Sequence, residues 1–139
     1  MALQDTLEDG EKVVGELSDG TRLFELEEGR GAVLEEYGEP DDPDGVQFYR
    51  VEYDRMKDAI LHYALWLRVG GFDRPEKGGL KFVPTTIVAE GREAVAAWLF
   101  LSGCHGFPVA RSVVAEKLNI SESTVSRYLS RVRSDVLEE

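Results

Sequence analysis

Residues 108 to 133 read PVARSVVAEKLNISESTVSRYLSRVR, a stretch crowded with side chains that can grip something polar. Ser121, Glu122, Ser123, Thr124, Ser126, Arg127, Ser130 and Arg131 fall within eleven residues, and Arg111 and Lys117 lie shortly before them. An arginine presents a rigid fork of donors that pairs with guanine through two hydrogen bonds, and a serine hydroxyl both gives and accepts one. Lysine and arginine also neutralise phosphate. Ser121 and Thr124 would suit a phosphate if a helix began beside them, because its first amide groups point outward. The chemistry on offer is recognition of a polyanion with readable edges.

Other chemistry-bearing residues do not converge. Two adjacent side chains, Cys104 and His105, cannot close a metal site, and His62 is the only other histidine. Cys104 lacks a well-placed base for nucleophilic work. The run Asp41-Asp42-Pro43-Asp44-Gly45 lacks the ligand spacing and final glutamate of an EF-hand. Neither Gly70-Gly71 nor Gly78-Gly79 opens a phosphate loop. No enzyme, cofactor or metal is expected from these residues.

The stretch from 108 to 133 divides into helix, turn and helix. Pro108 suits a first helical turn, and Val109, Val113, Val114 and Leu118 give that helix an inward face. Ala115 is small enough for a second helix to approach closely. Asn119 tolerates the left-handed conformation that a tight interhelical turn demands, and Ile120 plugs the angle. Ser121 is an N-cap, with Glu122 favoured in the first turn by the helix dipole. Val125, Leu129, Val132 and Val136 form a buried stripe bordered by Tyr128. The serines and arginines named above are left facing outward.

Ala115, Asn119-Ile120-Ser121 and the Thr124-Val125-Ser126-Arg127 run together resemble the helix-turn-helix of lac-repressor-type regulators. They also resemble the last helices of sigma-factor region 4. The family pattern most often has glycine where this chain has Asn119. The resemblance covers about a fifth of the chain and implies sequence-specific binding of double-stranded DNA by a transcriptional regulator. Ser126 and Arg127 would then face the bases. The competing expectation is a protein-interaction module or transcription adaptor that uses the same helix pair without touching DNA. A single recognition helix reads only a short half-site, so DNA binding implies a homodimer.

The elements upstream must carry this unit. Residues 11 to 37 favour strands, with Thr21 to Leu26 and a short return at Ala32 to Leu34, separated by turn signals. Gly38 to Gly45 reads as a loop and Gly45 to Val51 as a further strand. Residues 53 to 68 read as a helix, with Tyr53, Met56, Ile60, Tyr63, Ala64 and Leu67 on an apolar stripe suited to core or to a dimer seam. A glycine-rich loop over 71 to 82 runs toward a strand near Leu80 to Val83. A second helix opens at Pro84-Thr85-Thr86 and ends at Ser102-Gly103, with Ala94, Val95, Trp98, Leu99 and Leu101 inward. The fold class is α+β. A small acidic antiparallel β region with a helix, residues 1–83, would dimerise, bind a small-molecule or protein effector, or contact another protein. A tri-helical unit, residues 84–139, would carry the motif.

Charge is distributed unevenly within a net of -11. Residues 1 to 54 hold 17 acids and 4 bases, whereas residues 108 to 133 hold 5 bases against Glu116 and Glu122. The few residues after Asp135 are acidic, so no basic wing is expected there. Only five lysines stand against eleven arginines. Strong acidity with scarce lysine resembles the proteins of salt-loving microbes, where salt screens repulsion among surface acids. The sequence shows no run of about 18 apolar residues and no basic-then-apolar leader. With a lone cysteine added, a cytoplasmic location without membrane association is expected.

Overall fold

The computed structural model describes residues 12–18, 20–39, 42–70, 83, 85–102 and 108–137. The architecture is α+β, with a four-stranded antiparallel sheet and five α-helices among the described residues. The chain divides into two compact units, Met1–Ala59 and Ile60–Glu139.

The first unit is a meander, β1 (Lys12–Glu16), β2 (Arg22–Glu25), β3 (Gly31–Glu39) and β4 (Asp42–Tyr53), in the spatial order β1-β2-β3-β4. Successive strand residues point to opposite faces, so the consecutive buried pairs Leu23-Phe24 and Ala32-Val33 bury both faces of the middle of the sheet. Leu23, Val33 and Val51 are cross-strand neighbours on one face. Phe24 and Ala32 share the other, where Val13 and Leu34 pack with them and the Arg50 guanidinium sits 5.7 Å from the Phe24 ring centroid.

The loop expected over Gly38 to Gly45 is mostly strand. Glu39 pairs with Asp42, after a register shift between Tyr37 and Glu39, so β3 and β4 join in a short hairpin. Glycine, proline and aspartate signal a loop locally, but tertiary pairing extends the strands through them. Pro43 is tolerated because β4 lies at the sheet edge, where a missing N–H need break no ladder bond.

Helix α1 (Met56–Val69) contains the division between the units. Gly31 lets its first turn approach the sheet: a Cβ added there would lie 2.6 Å from Met56 Sδ and 2.7 Å from Ala59 Cβ. The apolar stripe is wider than a seam. Every residue from Asp58 to Trp66 is buried except the half-buried Ile60, and Tyr63 is 5% exposed. Leu67 alone among the proposed seam residues is well exposed, at 45%.

The second unit is helical. Leu61, Ala64 and Leu65 of α1 join the cluster that also holds Trp98, Val114 and Leu129. The single helix expected from 84 to 101 is two, α2 (Thr85–Ala89) and α3 (Arg92–Phe100). Gly91, at φ 100, breaks them apart in a conformation that side chains rarely adopt. Helices α4 (Arg111–Leu118) and α5 (Glu122–Leu137) follow, and α3, α4 and α5 pack against one another pairwise. Pro108 precedes α4 and is not in its first turn, which begins after the extended N-cap residue Ala110. Val109 donates its N–H to Phe100 O at 2.9 Å, tying the approach to α4 onto the end of α3. Among the described residues, no helix is long and apolar enough to cross a membrane. The expected strand near Leu80 to Val83, the loop before it, Pro84, Cys104 and His105 fall largely outside the described residues.

Candidate nucleic-acid interface

The angle between α4 and α5 is fixed by backbone chemistry at Asn119. This residue is left-handed, at φ 56 and ψ 49. Its N–H donates to Glu116 O at 3.3 Å, and the Ile120 N–H donates to Ala115 O at 3.0 Å. That pair of bonds is the Schellman ending, which satisfies carbonyls a helix terminus otherwise leaves unpaired. Arg92 from α3 adds a third, donating from Nη2 to Leu118 O at 3.0 Å. Ile120 packs its side chain onto the helical core.

Two residues later the next helix is capped. Ser121 Oγ accepts the Thr124 N–H at 3.2 Å, the N-cap expected from its type and position. The same oxygen lies 2.8 Å from Thr124 Oγ1 and 3.0 Å from Ser123 Oγ. Three hydroxyls thus meet at the start of α5.

Burial along α5 follows the helical repeat. Val125, Leu129 and Val132 are fully buried, with Val136 and Tyr128 packed at the margin. On α4, Val114 and Ala115 are buried, while Val109 and Leu118 are partly so. Val113 corrects the expected inward face: it is 38% exposed, because Val114 and Ala115 already point at α5 and its direction lies between them and solvent.

The remaining residues make up the open face. Ser121, Glu122, Ser123, Arg127, Ser130 and Arg131 are exposed, and Thr124 and Ser126 are half-buried. Arg111 and Lys117 are exposed on α4. Arg111 Nη1 reaches across to Ser126 Oγ at 3.0 Å, so one side chain from each helix meets on this face. Arg127 Nη2 donates to Thr124 Oγ1 at 3.3 Å, and Arg133 Nη2 to Ser130 Oγ at 3.4 Å.

Residues the sequence did not single out frame this face. Glu93 on α3 holds Arg131 at 3.0 Å and Arg68 at 3.4 Å. Arg68 also holds Asp135 at 2.8 Å. The hydrogen bond that Arg68 donates to Asp135 raises the Arg68 pKa above its ordinary value, against the opposing effect of partial burial. Arg68 therefore pins α1 to α3 and α5, and Arg131 is anchored at one end of the open face. These pairs lie 25 to 67 residues apart in sequence, beyond any local signal. His62 is buried elsewhere, its ring tilted against Trp66 with centroids 5.9 Å apart.

No family model, curated protein or solved structure matches this chain.

Proposed function

We propose that the chain binds duplex DNA sequence-specifically, as a transcriptional regulator, with the first half of α5 in the major groove. The observation that carries this is the division of α5. Its buried stripe seats the helix on α3 and α4, and its opposite face offers Arg127, Ser126 and the capping hydroxyls to a partner. Helix α4 would cross the phosphate backbone, with Lys117 exposed upon it. A half-site reader of this kind works as a homodimer, and the acidic sheet unit is then free for assembly or for an effector.

The test separates base reading from phosphate contact. Arg127→Ala should lower affinity for a duplex selected from random sequences and flatten preference at one position, by about 1–3 kcal/mol of discrimination. Lys117→Ala should weaken all duplexes alike and reduce the slope of log affinity against log salt by about one. The measurement is fluorescence anisotropy on the selected duplex and its single-base variants at several salt concentrations. Unchanged affinity and preference in Arg127→Ala would transfer the face to protein recognition.

A further inference from the structure

Among the three arginine–hydroxyl contacts on the open face, the one between Arg111 and Ser126 differs in kind. The other two join residues three apart on α5, whereas this one bridges α4 and α5 across fifteen residues. A serine hydroxyl has one hydrogen and two lone pairs. Arg111 fills a lone pair, and its charge strengthens the hydroxyl as a donor in turn. Among the described residues, no side chain or carbonyl is seen to accept the Ser126 hydrogen.

We propose that Arg111 and Ser126 form one reading unit and that the base it selects is guanine. The inference rests on the DNA-binding reading above. Arg111 holds the Ser126 hydroxyl as a donor toward the groove. Purines present the N7 acceptor there, and cytosine presents an amino donor that this hydroxyl, so held, has only a partly used oxygen to meet. Guanine adds a second acceptor, O6, suited to an N–H of Arg111 that Ser126 does not occupy. Arg111 is therefore a specificity residue although it belongs to α4, the helix that otherwise meets phosphate.

The experiment uses the full chain and duplexes selected by it from a pool with a randomised core. Binding is measured on the winning duplex, on every single-base variant, and on duplexes carrying 7-deazaguanine at each guanine in turn. Arg111→Ala and Ser126→Ala should each flatten preference at the same guanine. Each should cost roughly fivefold, the net worth of one hydrogen bond. The double variant should lose little more than the larger single loss, and Ser126→Thr should recover the preference that Ser126→Ala loses. For the unaltered protein, 7-deazaguanine at that position should cost a similar factor, an arm that requires no variant to fold. In Ser126→Ala the same substitution should cost nothing. Multiplying losses, losses at different positions, or a uniform loss without altered preference would overturn the coupled reader and leave DNA binding standing. A chain that selects no sequence would remove the DNA-binding reading, and this inference with it.

Discussion

Asn119 decides the direction in which α5 leaves α4. Its left-handed backbone makes both Schellman bonds possible, and few residues other than glycine and asparagine occupy that region without strain. Asn119→Val should therefore destabilise the fold by about 1–2 kcal/mol, because a β-branched side chain crowds the left-handed backbone. Asn119→Gly should be tolerated. Urea melts of the two variants check this, and equal midpoints would mean that the turn carries no such constraint. Gly31 is needed for a different reason, space and not φ. A methyl group there would meet the flexible end of Met56, which can swing away, and the Cβ of Ala59, which moves only with its helix. Gly31→Ala should cost about 1–3 kcal/mol by overpacking. Adding Ala59→Gly should return part of the loss, less the penalty of glycine within a helix. A Gly31→Ala protein as stable as the parent would show that Met56 and Ala59 give way to the added methyl without cost.

At the scale of elements, the helix-turn-helix was legible because each of its signals is local. The cap at Ser121, the turn at Asn119 and the stripe of Val125, Leu129 and Val132 are all within one or two helical turns of the residues they organise. The β-hairpin was less legible. Its strands run through residues whose composition favours a loop, and the cross-strand pairing of β3 with β4, which residue type alone does not reveal, overrides that preference. Helix α1 shows a third case. Periodicity identified the helix, but it could not tell that burial extends nearly all round from Asp58 to Trp66. The break at Gly91 was missed because an isolated glycine inside an apolar repeat is compatible with an unbroken helix. Glu93 was invisible as a partner of Arg131 and Arg68, since an ion pair between elements leaves no periodic trace. The sequence therefore pointed to the surface groups of the open face, while their brackets became apparent only in three dimensions.

For the whole molecule, the central tension is between a net charge of -11 and the polyanionic partner we propose. Salt acts on two quantities in opposite directions. It screens repulsion among acids, 17 of which lie in the first 54 residues, and so favours the folded chain if the acidity is an adaptation to salt. Salt also weakens phosphate contacts, because bound cations no longer gain as much from releasing counterions. If all four cations on the open side, Arg111, Lys117, Arg127 and Arg131, neutralised phosphate, the slope of log affinity against log salt would reach about -3.6, at about -0.9 per phosphate; base reading by Arg111 and Arg127 and the pairing of Arg131 with Glu93 make this an upper bound on its steepness. Repulsion between DNA and the acidic residues is screened by the same salt, which offsets part of that loss. The expected slope is therefore shallower than about -3.6, while the thermal midpoint rises from dilute buffer to molar KCl. Melts and binding titrations over one salt series check both together. A flat midpoint would remove salt adaptation as the reason for the acidity. A slope at or beyond about -3.6 would show that the acids do not oppose DNA, so that the basic face acts as though electrostatically isolated from the rest of the chain.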